Sequence, residues 1–120
     1  AGINNPRQDL DVAEVADTYT GAELQAYEDL GFCDYGQSGP LTERGVFDLG
    51  GELPTNTSGG LIGQGAPPGA MGLAQAVEVL KQLRGECPKE RQVEGARRGL
   101  TDIHGGTASF SIVSILERRD

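Results

Sequence analysis

LPTNTSGGLIGQGAPPGAMGLAQAVEVLKQL, residues 53–83, joins an extended piece, a glycine-dense loop and a largely apolar helix. Residues 53–57 read as strand-like, and the loop that follows carries Gly59, Gly60, Gly63, Gly65 and Gly69. Five glycines in eleven residues predict tight turning and close backbone approach, because glycine tolerates positive φ and has no Cβ to obstruct a neighbour. The helix opens near Pro68. Ala70, Leu73, Ala74, Val77 and Leu80 fall at helical spacing on one face, while Met71, Ala76, Val79 and Leu83 put apolar side chains elsewhere. That all-round character predicts a helix buried between two layers.

Upstream, Asn4, Asn5 and Pro6 read as the end of a helix and a turn, and residues 11–15 as a short buried strand. Residues 20–30 read as a helix with Thr20 as N-cap, Glu23 as its capping-box partner and Gly31 as the stop. Residues 32–51 form an irregular excursion long enough to pack or bind in its own right. Downstream of a polar break at Gly85 and Pro88, residues 92–103 and 108–118 read as two strands joined at Gly105 and Gly106. Strand, helix, strand, helix and two closing strands make an α/β order with parallel crossovers and an antiparallel addition.

The chain has 120 residues, the size of one domain, and a net charge of −8. That sign argues against a general nucleic-acid or anionic-membrane surface. No apolar run reaches the ~20 residues that span a bilayer, and no signal pattern opens the chain, so a soluble cytoplasmic location is expected. Cys33 and Cys87 lack paired-ligand spacing; reduced thiols and no metal site are expected, with Cys33 structural and Cys87 exposed. Pro67 and Pro68 remove donors that a phosphate loop needs, and no Gly-Lys-Ser/Thr follows, so nucleotide binding is not expected. Asn56-Thr57-Ser58 matches a glycosylation acceptor by chance.

Three motifs in order carry a family resemblance. Asn56, Ser58, Gly59 and Gly60 match an Asn-x-Ser-Gly-Gly loop; Gly65-Ala66-Pro67-Pro68-Gly69-Ala70 matches a Gly-His-Pro-x-Gly-Ala segment; Ala16-Asp17-Thr18-Tyr19 matches a His-Asp-x-aromatic motif. With the closing strands, the chain resembles the C-terminal half of the thiolase superfamily, in its lipid-transfer or sterol-carrier branch, over nearly all of residues 1–120. The resemblance implies a thiolase-like half: a five-stranded mixed sheet with helices on both faces, which in the family packs on a second half through the central helix. An isolated half should then expose an apolar face. Because the nucleophile belongs to the N-terminal half, and the sequence starts at Ala1, an excised domain, a processed fragment or a separate subunit is expected.

The same resemblance places the family's active-site positions at Ala16, Ala66 and Asp102, where histidine, asparagine or cysteine is usual. A methyl group neither accepts a proton nor polarises a thioester, so Ala66 cannot do the work of the histidine. His104 beside Asp102 is a candidate surrogate acid or base, weighed against a plain turn residue. Tyr19 is expected to pack in the core. The pocket loop comprises Asn56, Ser58, Gly59, Gly60, Gly65, Gly69, Gly105 and Gly106. Three functional readings follow: a non-catalytic domain that scaffolds or completes an acyl-CoA site, a part of an active acyltransferase or carbon–carbon lyase with altered groups, or a domain with no activity of its own. No cofactor is expected beyond acyl-CoA as ligand of the complete assembly. The expected partner is an N-terminal thiolase half, another subunit or a second copy, bound through the 70–83 helix.

Overall fold

The computed structural model describes residues 2–106 and 108–119. The elements run α1 (Pro6–Asp9), β1 (Val12–Glu14), α2 (Thr20–Asp29), α3 (Ser38–Glu43), α4 (Gly60–Gln64), α5 (Met71–Arg84), a 3-10 turn (Lys89–Arg91), β2 (Arg98–Gly105) and β3 (Phe110–Glu117). The sheet is mixed, as expected, but has three strands in the order β1-β2-β3 rather than five. β1 and β2 are parallel, with Glu14 opposite Thr101, and β2 and β3 form an antiparallel hairpin with Leu100 opposite Ile115.

Two expected extensions of the sheet fail for local reasons. Residues 53–57 reach β1 only as an isolated bridge between Ala13 and Thr55. Asn56 then turns the chain at φ 53°, and Pro54 has no N–H to offer a ladder. Residues 92–97 are spent on side-chain partners: the Val93 amide donates to Gln82 Oε1 (2.8 Å), and the Arg97 and Arg98 amides both donate to Asp11 Oδ2 (2.8 Å). β2 therefore starts at Arg98.

Side chains alternate across β2. Leu100 joins one apolar cluster with Ala13, Val15, Tyr27, Phe32, Phe47 and Leu53, on the side of α2 and the excursion. On the other side α5 lies on the sheet, where Val79 and Leu83 pack with Val12 and Ala96. Gly99 permits this approach, since a Cβ there would stand 2.4 Å from Val79 Cγ1.

α5 is not sandwiched between two layers. Its inner side buries Gln75, Glu78, Val79, Gln82 and Leu83, whereas Leu73, Val77 and Leu80 face outward, Leu73 at 69% exposure. The polar residues that interrupt its sequence are thus largely the inner ones. Gln82 explains how: its amide donates to Thr57 Oγ1 (2.9 Å) and the Arg91 carbonyl (2.7 Å) while its oxygen accepts from Val93. The exposed apolar face expected of an isolated half is present, and Phe110 and Ile112 of β3 are exposed as well.

Elsewhere the structure corrects the reading at element ends. Pro6 opens a helix at its first position instead of following one, consistent with its fixed φ. α2 begins at Thr20 with Tyr19 as N-cap and no side-chain cap; Glu23 instead accepts from Tyr27 Oη (2.9 Å) and Asn56 Nδ2 (2.7 Å). Tyr19 is not a core residue, being 75% exposed. The excursion contains α3, tied to α2 by Ser38 Oγ–H donating to Glu28 (2.6 Å). Cys33 packs against the first cluster as a free thiol, and Cys87 is half-buried against Glu78 instead of exposed.

Candidate functional site

The carboxyl ends of β1 and β2 gather most of the residues singled out in the sequence. At the end of β1 the chain is held to the glycine loop by a set of side-chain hydrogen bonds. The Val15 amide donates to Asn56 Oδ1 (2.9 Å), and Ser58 donates both its amide (3.1 Å) and its hydroxyl (2.6 Å) to Glu14. The Leu61 amide donates to Asp17 Oδ1 (2.6 Å). Ser58 Oγ in turn accepts the Gly60 amide (3.1 Å). Gly60 is required at its place: φ is 63°, and a Cβ would fall 1.9 Å from Asp17 Oδ2. Asn56, Ser58, Gly59 and Gly60 thus form one hydrogen-bonded turn against β1.

Beyond that turn, residues 62–70 are exposed throughout and contain no ionisable side chain. Ala66, Gly65 and Gly69 lie in this run. Ala16 is buried at the other side of the turn, directly before Asp17. A methyl group stands at both positions, so neither supplies a proton acceptor.

Asp102 and His104 lie within β2 and not in a turn after it. Asp102 is fully buried; its Oδ1 accepts the Ser111 hydroxyl from β3, and His104 Nε2 stands 3.3 Å from its Oδ2. That spacing is an ion-pair distance without the alignment of a hydrogen bond, so Oδ2 has no donor. The Asp102 carbonyl accepts Gln75 Nε2 (2.9 Å), which seats the start of α5 on the end of β2, and Gly72 passes close over Ile103. Leu100, Asp102 and His104 alternate onto the face away from α5, so the Asp102–His104 pair and Glu14 lie on opposite faces. Gly105 lies under the Phe110 ring, where a Cβ would meet Cζ at 2.1 Å.

Two site residues were missed in the sequence reading, Glu14 and Gln75. Glu14 is an acid inside a three-residue buried strand, and a charge in so apolar a run is itself the signal. Burial pushes its carboxyl up to about 7, against the lowering effect of the two Ser58 bonds, with Glu78 and Asp17 adding repulsion. It lines a cavity of about 190 Å³ with Gly65 and Pro67, the neighbours of Ala66, and with Met71 and Gln75 of α5. Gln75 Oε1 is buried there without a partner. Among the described residues no cluster of His, Cys, Asp and Glu has the makings of a metal site. Burial raises both thiols, Cys87 to about 11 with the help of Glu78, so neither is an activated nucleophile.

The thiolase C-terminal domain-like family matches this chain over residues 1–118. The chain belongs to that family. It is 47% identical over 110 residues to the acetyl-CoA acetyltransferase of Methanothermobacter thermautotrophicus, covering 92% of this chain and 28% of that protein. It is 52% identical over 92 residues to sterol carrier protein 2 of Bos taurus, covering 77% and 17%. Among solved structures, a chain of the Ltp2-ChsH2(DUF35) aldolase superposes with a TM-score of 0.77 at 28% identity, covering 92% of this chain and 27% of that one. This thiolase-like domain therefore spans less than a third of the relatives it matches. No helix among its described residues is long and apolar enough to cross a membrane.

Proposed function

We propose that this domain completes the acyl-CoA site of a longer thiolase-type assembly and supplies shape and packing, while the attacking group comes from elsewhere in that assembly. The observation that carries this reading is the glycine loop: its base is fully hydrogen-bonded to β1, yet its exposed run at 62–70 has no group able to take or give a proton. A built loop without acid–base chemistry is suited to hold a ligand against a partner's reactive groups. The outward face of α5, with Leu73, Val77 and Leu80, is the docking side in this reading, and an N-terminal thiolase-type half is its occupant. The similarity to an acetyl-CoA acetyltransferase supports acyl-CoA as the ligand class.

A second reading has one observation of its own. His104, half-exposed and held beside the buried Asp102, has the composition of an acid–base pair at the end of β2, as an active acyltransferase or carbon–carbon lyase with altered groups would need.

Mixing the chain with the nucleophile-bearing half of a thiolase and following acetoacetyl-CoA separates the two. The completing role predicts no thioester cleavage by the chain alone and tighter acyl-CoA binding by the mixture than by either part. Cleavage by the mixture that is lost in H104Q establishes the second reading instead. Cleavage by the 120-residue chain alone overturns both.

A further inference from the structure

Glu14 is the last residue of the buried strand β1, and its two oxygens are each committed to the same residue. Oε1 accepts the Ser58 amide at 3.1 Å and Oε2 the Ser58 hydroxyl at 2.6 Å, the short distance typical of an O–H bond to an ionised acceptor. The Ser58 hydroxyl can then accept the Gly60 amide, so the chain of bonds runs Gly60 to Ser58 to Glu14 in one direction. Protonating Glu14 weakens it: the bonds that the carboxyl accepts from the Ser58 amide and hydroxyl lose their charge assistance, and one carboxyl oxygen gains a hydrogen of its own to place.

We propose that Glu14 is the positioning residue of the glycine loop, and that it fixes Ser58 and Gly60 tightly as a carboxylate and loosely as an acid. That the loop borders an acyl-CoA site rests on the function proposed above; the hold on Ser58 does not. The charged groups that bear on Glu14 set the switching range. From α5 comes Glu78, itself paired with Arg91; from the end of β1 comes Asp17. Its neighbours from the loop, from β2 and from the start of α5 are the neutral Ser58, Thr101 and Gln75. With burial and two negative neighbours acting together, the carboxyl titrates about 7, where the usual glutamate is already ionised.

The test is a pH titration of the protein by heteronuclear NMR between pH 5.5 and 8.5, reading the Ser58 and Gly60 amides and the Glu14 side-chain carboxyl carbon. Both amides are expected to shift with a single midpoint near that of Glu14. E14Q should abolish the inflection at both amides. S58A should raise the Glu14 midpoint, since it removes the hydroxyl bond that favours the ionised form and leaves only the amide bond. H104Q serves as the control for the chain's single histidine and should leave the inflection in place. Amides that do not titrate, or an inflection that survives E14Q and disappears in H104Q, would overturn the proposal. Either result leaves the acyl-CoA reading standing, because that is decided by thioester cleavage and not by these shifts.

Discussion

Asp17 and Leu61 are 44 residues apart in sequence and joined by a 2.6 Å hydrogen bond, carboxyl oxygen to backbone amide, at the start of α4. The Ile62 amide also points at Asp17, at 3.5 Å. One buried side chain from the end of β1 therefore satisfies the amides that a five-residue helix leaves open at its start, and it does so where the helix is too short to be stable alone. The loop carrying Ala66 departs from this anchor.

Removing that anchor should be costly. D17A leaves a buried amide without a partner, and we expect about 2 to 3 kcal/mol of lost stability in urea unfolding. G60A should cost at least as much, since the added Cβ meets Asp17 and the backbone sits at positive φ. A loss within about 0.5 kcal/mol for both would mean that the loop is held by other contacts.

Glu14 gives a pH dependence with a definite sign. Its folded value of about 7 lies above the ordinary 4.5, so between these values the folded state holds the proton that the unfolded state has released. Its contribution is fully present below about 4.5 and is lost as the pH rises through about 7, a change of roughly 3 kcal/mol. The stability of the wild type minus that of E14Q should fall across this window and level off above it. A flat difference between pH 4.5 and 7.5 would contradict the burial of an ionisable Glu14.

Gln82 is the polar residue on which the inner face of α5 depends. Its side chain bonds Thr57, the Arg91 carbonyl and the Val93 amide, three separate segments. Q82L matches its bulk without its bonds and is expected to destabilise by about 2 to 4 kcal/mol, measured by thermal or urea unfolding, because it strands two backbone groups in the interior.

The outward face of α5 should behave oppositely. L73K with L80K places charge on an exposed surface, and we expect unfolding free energy to change by about 0.5 kcal/mol or less. Light scattering should show association of the wild type with itself or with an added thiolase half, and its loss in the double variant. A wild type that remains monomeric at high concentration and ignores the added half would remove this face as a docking side.

Much of the architecture was legible because it depends on local chemistry. The α/β order, the parallel and antiparallel relations, α2 and α5, and the closing hairpin all follow from periodicity, glycine stops and apolar runs. The three spaced motifs identified the family, since loop geometry demands glycine at positions such as Gly60. What could not be read was the allocation of side chains between backbone and interior. Residues 53–57 and 92–97 have strand-like composition, but the Leu53 and Thr55 amides donate to the Val46 and Phe47 carbonyls, and the Val93 and Arg97 amides to the side chains of Gln82 and Asp11. Tyr19 and Leu73 are apolar enough for a core, yet both face outward, Leu73 because α5 turns Gln75, Glu78 and Gln82 inward. Glu14 and Asp102 owe their place to strand register, which sets Glu14 on the α5 face under Ser58 and Asp102 on the other beside His104. Pattern along the chain is a local property and survives in the sequence; which buried polar group meets which partner is a pairing across tens of residues, and only folding makes it.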